Sequence, residues 1–352
     1  MVEWYSHVNE ILVPVRKNAA VNRAQPYPAL VSAVAKDASM SVVQGNKLLK
    51  SAGCITKCVV VEPEQPGGEF VIVFSMSHAA ADGHDYYRIL NMVCGTDPVE
   101  AMNPKRVEEY ETREPEWTGK KDFKFLSGGG LMKGMLTGMC CGPKAQWCCY
   151  TVDDAKVAAA KEKSVAGAAK IGAKGVEYVS TNDVLTSHFC RATAARVCMM
   201  VINFRGKIPG LPLTEANSGC YEGCLLLDPE NYADPAFVRM SLNAGLPYTR
   251  QMPSPKLPGC CGSCPMAFIT SWANGAVGGG RFDACNVEGV EKQNLHLPCM
   301  DMPDMMDVAI VFKPTPDKYG VIYLAKRAKP DVLFGEGTVL GEPLGGMLFP
   351  LL

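Results

Sequence analysis

The period of the apolar positions changes several times along the chain, and each change marks an element. Residues 1–50 read as short helical pieces with turn signals at Gln25-Pro26-Tyr27-Pro28. Cys58-Val59-Val60-Val61 is mostly β-branched, and Phe70 to Met76 follows as an apolar run of largely β-branched and aromatic residues. The turn sequence Glu64-Gln65-Pro66-Gly67-Gly68 lies between them. This pattern predicts a hairpin whose second strand is buried on both faces. Tyr86 to Val93 has helical spacing. Residues 96–122 are charged and carry Pro98, Pro104 and Pro115, so they read as a surface connection. Residues 123–142 are apolar and rich in Gly and Met. They are expected to form a crossover with a short helix packed on the core; wrapping a substrate mouth or lying on a membrane surface are the alternatives.

Further on, Gln146 to Val152 predicts a short strand, and Asp153 to Ala173 a helix whose two leading aspartates suit its N-terminus. Ser180-Thr181-Asn182-Asp183 ahead of an apolar-periodic run is a strong helix start. Met199 to Arg205 and Ala267 to Trp272 read as strands, with a Pro-, Gly- and Cys-rich loop over residues 250–265. Val308 to Phe312 and Tyr319 to Leu324 predict a late hairpin around Thr315-Pro316-Asp317-Lys318. Strands and helices mix without strict alternation, and no repeat is visible.

Composition narrows the class. The 352 residues suit two domains or one large α/β unit. With 47% hydrophobic and 20% charged residues, disorder is excluded as the dominant state. A formal net charge of −1 offers no basic excess for a nucleic-acid backbone. No run approaches the ~18 apolar residues of a membrane span. The segment Met1 to Ser6 lacks a basic region followed by an apolar core, so no signal peptide is read and a cytoplasmic location is expected. The 16 cysteines are then expected as free thiols. They bunch at Cys140/Cys141, Cys148/Cys149 and Cys260/Cys261/Cys264, and Cys261-Gly262-Ser263-Cys264 is a C-x-x-C step. It has no second pair at zinc spacing, so no metal is expected.

The segment that carries chemistry is His78-x-x-x-Asp82-Gly83, set between a buried strand and a helix. Imidazole is the side chain best poised to take a proton near neutral pH. Asp82 could orient that ring, or pair with a distant cation and fix the turn. The bland alternative is a packed strand-end histidine. His84 is expected on a helix surface and His188 packed within a helix. Lys120, Lys121 and Lys124 read as a solvated run, with coenzyme A phosphates as the alternative. Gly278-Gly279-Gly280 and Ser127-Gly128-Gly129-Gly130 lack dinucleotide spacing. No phosphate-binding P-loop and no G-x-S-x-G elbow occurs.

Val73 to Gly83 resembles the active-site segment of the chloramphenicol-acetyltransferase-like superfamily, nearest to the BAHD-type acyl-CoA-dependent acyltransferases. Three further segments agree in the family's order: Ser180 to Thr186, Asn203-Phe204-Arg205-Gly206-Lys207-Ile208-Pro209, and Ile269-Thr270-Ser271-Trp272. The likeness spans roughly residues 55–325. Two departures stand out. The family's late D-F-G-W-G motif is replaced by Gly280 to Gly289, and only 77 residues precede His78.

The resemblance implies an α/β, two-domain chloramphenicol-acetyltransferase-like fold, with mixed sheets flanked by helices and a channel between domains. The expected halves are 1–145, carrying the H-x-x-x-D-G motif, and 146–352, carrying the N-F-R-G and T-S-W segments. It implies acyl transfer from acyl-CoA, as co-substrate, to a hydroxyl or amine of a small-molecule acceptor, with direct attack on the thioester and no permanently bound cofactor. His78 would be the general base. Asp82 would pair with Arg205 and hold the loop, and Gly83 would supply a backbone angle other residues resist. Trp272 or Thr270 would donate to the tetrahedral oxyanion. The rival reading is an inactive relative serving as a binding or assembly subunit. Condensation domains share the motif but often carry a second His, where Ser77 stands here.

Overall fold

The computed structural model describes residues 14–22, 25–43, 45–48, 53–62, 70–93, 97–141, 143–242, 252–258, 264–273, 296–300, 304–315 and 317–344. Two compact units result: Met1–Ala81 with Cys299–Asp301, and Asp82–Pro298 with Met302–Leu352. The division expected after residue 145 falls inside the second unit.

The first unit contains β1 (Val15–Lys17), α1 (Tyr27–Lys36), α2 (Gly45–Leu48), β2 (Thr56–Glu62) and β3 (Val71–Met76). Pro26 and Pro28 start α1, where a missing N–H costs nothing. The helix then buries Tyr27, Leu30, Val31 and Val34, one stripe at helical spacing. The sheet runs β1-β2-β3, parallel then antiparallel, with Val59 opposite Val73. The expected hairpin is therefore present, and its turn at 63–69 lies outside the described residues. Burial of β3 on both faces is not observed: Val73 alone is buried in it. As an edge strand of three, β3 is covered less than a central strand would be.

The second unit contains α3 (Gly83–Val93), α4 (Glu109–Thr118), α5 (Lys120–Leu126), α6 (Gly129–Cys141), β4 (Gln146–Val152), α7 (Asp154–Gly167) and α8 (Thr181–Thr193). Then come β5 (Val197–Asn203), β6 (Glu222–Leu227), α9 (Pro229–Tyr232), α10 (Pro235–Leu242), β7 (Met266–Ser271), β8 (Asp307–Thr315), β9 (Lys318–Ala325), α11 (Pro330–Leu333) and β10 (Leu340–Pro343). The seven strands order as β10-β4-β9-β8-β7-β5-β6. The pairs β5/β7 and β7/β8 are parallel; the others are antiparallel. The apolar runs of β9, β8 and β7 make the centre of this sheet, and nearly every residue of β8 is buried.

Helix α8 is a core helix, with ten of its residues buried. Its start follows the sequence pattern: Ser180 Oγ accepts from the Asp183 N–H at 3.2 Å, and Asp183 accepts from the Ser180 N–H at 2.6 Å. Arg239 neutralises the buried Asp183 at 2.5 Å. His188 is packed mid-helix as expected, and burial lowers its pKa to about 4. Between pH 6.5 and 4 the unfolded chain takes up this proton while the folded chain does not, so stability should fall by about 3 kcal/mol as pH drops through that window. We expect His188→Leu to flatten that acid limb in urea unfolding at stepped pH; an unchanged slope would refute the assignment.

Four expectations need correction. Residues 96–122 are not one irregular connection, because α4 and α5 form within them. Pro115 falls in the last turn of α4, where the helix is ending and the Gly119 N–H closes on the Pro115 carbonyl at 3.1 Å. The apolar anchor among those charges is Tyr110, buried with its ring 5.3 Å from that of Tyr221. Helix α7 ends at Gly167 rather than Ala173, while Asp153 caps it by accepting from the Lys156 N–H at 3.1 Å. The thiols are not all free: Ala194, at φ 47°, reverses the chain after α8, and Cys190 is disulfide-bonded to Cys198. His84 is buried instead of lying on a helix surface, with Nε2 3.0 Å from the Glu215 carbonyl oxygen.

Candidate active site

The site builds from the end of β3. The Ser77 N–H donates to the Ile55 carbonyl at 2.8 Å, and the Ala80 N–H closes a turn onto the Ser77 carbonyl at 3.0 Å. Ser77 is buried, while His78 sits on the turn exposed. Gly45 lets this turn approach: a Cβ there would stand 2.7 Å from the Ala79 Cβ.

Asp82 closes the motif by capping α3. Its Oδ1 accepts from the N–H groups of His84 at 3.1 Å and Asp85 at 3.3 Å. A carboxylate is well suited there, since the first N–H groups of a helix have no partner and the helix dipole favours negative charge. The other oxygen, Oδ2, accepts from Arg205 Nη1 at 2.7 Å and from the Tyr221 N–H at 2.9 Å.

Arg205, two residues past β5, is 1% exposed, and its donors are occupied in every direction. Nε donates to the Asn217 carbonyl at 2.9 Å, and Nη1 to Asp82 and, at 3.3 Å, to Asn203 Oδ1. Nη2 donates to Asp85 Oδ1 at 3.0 Å and to the Gly219 carbonyl at 2.8 Å. The guanidinium carbon lies 5.1 Å from the centroid of the Tyr221 ring. Asp85 itself accepts from Ser218 Oγ and the Gly219 N–H, both at 2.7 Å. One buried cation thus serves two buried carboxylates. Burial raises the Asp85 pKa against the lowering effect of those hydrogen bonds and of Arg205.

Asp82, Arg205 and the segment holding Asn203 stand out in the sequence, whereas Asp85, Asn217, Gly219 and Tyr221 do not. Asp85 had a legible signal, because it follows Asp82 by three residues at the start of a helix and so shares its face. The loop 217–221 had none, since its contribution is mostly main-chain hydrogen bonding.

Gly83 does not show the backbone angle expected of it. Its φ is not positive, so no special backbone angle is needed. A Cβ built there would stand 3.4 Å from Trp272 Nε1, an ordinary van der Waals contact with the indole edge that lies beside the first turn of α3. Trp272 leaves β7 with its N–H on the Val311 carbonyl at 2.8 Å, and its ring centroid is 6.0 Å from that of Tyr87. Thr270, two residues earlier in β7, is 6% exposed. His296 extends the cluster, with ring centroids 5.7 Å from Tyr87 and 5.9 Å from Phe312. Lys120, Lys121 and Lys124 are exposed along α5. Cys260 to Ser263 and the stretch Gly278 to Gly289 lie outside the described residues.

The sequence matches no family model and no curated protein. Among solved structures the chain is similar to TRI101 of F. sporotrichioides, crystallised with coenzyme A and T-2: 15% identity over 95% of this chain and 81% of that one, with a TM-score of 0.54. It is also similar to vinorine synthase, at 13% identity over 83% and 67% of the two chains and a TM-score of 0.48. The fold comparison rests on the first. Two mixed sheets flanked by helices, the motif turn after β3 and the agreement with TRI101 together give the chain the chloramphenicol-acetyltransferase-like fold.

Proposed function

We propose that this protein transfers an acyl group from acyl-CoA to a hydroxyl or amine of a small acceptor. The observation that carries the reading is the fully hydrogen-bonded Arg205 holding Asp82, four residues beyond the exposed His78, within a fold shared with a coenzyme A-bound structure. Such a network fixes Asp82 and the start of α3, the end of the motif that His78 opens.

His78 removes the proton of the acceptor as its oxygen or nitrogen attacks the thioester carbonyl. The carbon–sulfur bond then breaks, coenzyme A leaves as thiolate, and the proton held by His78 neutralises it. Thr270 Oγ1 or Trp272 Nε1 donates to the tetrahedral oxyanion, a contribution of about 3 kcal/mol per donor. Asp82 and Arg205 stay paired throughout and exchange no proton.

The test is thiol release. Purified protein is offered a panel of acyl-CoAs, from acetyl to long-chain, with mixed alcohols and amines. Release that depends on the acceptor supports the reading. Release from no donor, with any acceptor, sinks it.

A further inference from the structure

Helix α6 is packed against its surroundings the wrong way round for an ordinary surface helix. Gly130, Gly134 and Gly138 recur every four residues and so share a face. A Cβ at Gly130 would stand 2.6 Å from the Phe125 ring and one at Gly134 2.6 Å from Met266, while at Gly138 it would collide with the Met305 carbonyl oxygen. The helix therefore touches the protein through its backbone. Three of its five large apolar side chains point elsewhere, with Leu131 and Met135 half-buried: Met132 is 65% exposed, Leu136 51% and Met139 53%. Their spacing of four and three places them on one stripe. Three contiguous exposed long apolar chains on one helix call for a cover.

The charge around the stripe says what that cover is. Between Gly119 and Ala145 stand five lysines, at 120, 121, 124, 133 and 144, and one acid, Asp122, which is buried. The chain as a whole is at −1. No ion pair among the described residues involves Lys120, Lys121 or Lys124. On the preceding α4, the exposed Glu111 and Glu116 are paired with Arg106 and Arg113. A second copy of the chain on this face would set lysines against lysines. A flat anionic surface takes up the same charge favourably and needs no shaped groove for flexible Met and Leu chains. No described helix is long and apolar enough to cross a membrane, so the contact is one of lying on the surface.

We infer that the α5–α6 segment is a docking surface for an anionic lipid membrane, with Met132, Leu136 and Met139 entering the headgroup boundary and Lys120, Lys121 and Lys124 meeting the lipid charges. The inference does not depend on the acyl-transfer reading.

The full-length protein is sedimented with vesicles of phosphatidylcholine alone and of phosphatidylcholine with phosphatidylserine. It should bind the second at least about tenfold more tightly, with binding weakened by salt. Met132→Asp, Leu136→Asp and Met139→Asp combined should abolish binding while leaving the circular dichroism unchanged, because all three side chains are more than half exposed. Lys120→Ser, Lys121→Ser and Lys124→Ser should each weaken binding about fivefold, equivalent to roughly 1 kcal/mol per lysine. Wild-type protein that ignores anionic vesicles overturns the inference. So does a triple-aspartate variant that binds as well as wild type. Sedimentation velocity showing a wild-type dimer that this variant dissolves assigns the face to a second copy and overturns it as well.

Discussion

His78→Ala is expected to lower acyl-CoA-dependent thiol release by about 10²–10⁴-fold while leaving the unfolding transition where it was. The size follows from the role: a positioned general base contributes that much, and alanine cannot take the proton. The stability stays close to that of wild type because His78 stands exposed on its turn. This pairing of effects separates an enzyme from an assembly subunit, for which the same substitution would leave every readout unmoved. A large loss of stability in His78→Ala would mean that the ring is a packing element, and the mechanism would fail.

Arg205→Met should produce the opposite pattern, a loss of folded-state stability of about 3–5 kcal/mol together with activity. Methionine fills much of the volume but satisfies none of the partners. Asp82 and Asp85 would then face each other as carboxylates at most 2% exposed, and the Asn217 and Gly219 carbonyls would lose their donor. Adding Asp82→Asn and Asp85→Asn to Arg205→Met should recover part of the stability, because neutral amides avoid the buried like charges. The activity should stay low, since the Arg205 tie to position 82 is still missing. Arg205→Lys should also fail, because an ammonium has neither five donors nor a planar fork. Urea unfolding of the single and combined variants measures all of this. A single variant as stable as wild type would contradict the role given to the network.

The parts legible in the sequence share a property: their chemistry is local. The β2–β3 hairpin came from a β-branched run and a turn, and the start of α8 from Ser180 and Asp183. The β8–β9 hairpin came from two apolar runs around Thr315-Pro316-Asp317-Lys318. The four motif segments were short enough to resemble a family piece by piece. What stayed hidden depends on distant neighbours. The half-exposed state of β3 follows from its place at a sheet edge, which its own apolar run cannot announce. Helix α4 hid behind Pro115 because proline was read as a breaker rather than as a last-turn residue. His84 was placed on a surface because its cover, Glu215, lies far along the chain. Glycine at position 83 suggests a special backbone angle, yet its φ is not positive, which depends on how α3 begins rather than on the residue type. The second carboxylate on Arg205 was missed because the motif pattern ends one residue after Asp82.

The most direct measurement follows the acyl group by mass. Wild-type protein and His78→Ala are each mixed with an acyl-CoA and an acceptor, quenched, and both the acceptor and the intact chain are weighed. Direct attack assisted by His78 predicts that the acceptor gains the acyl mass with wild-type protein only, and that the chain never does. An acylated chain, or an acceptor modified equally by both proteins, would contradict it.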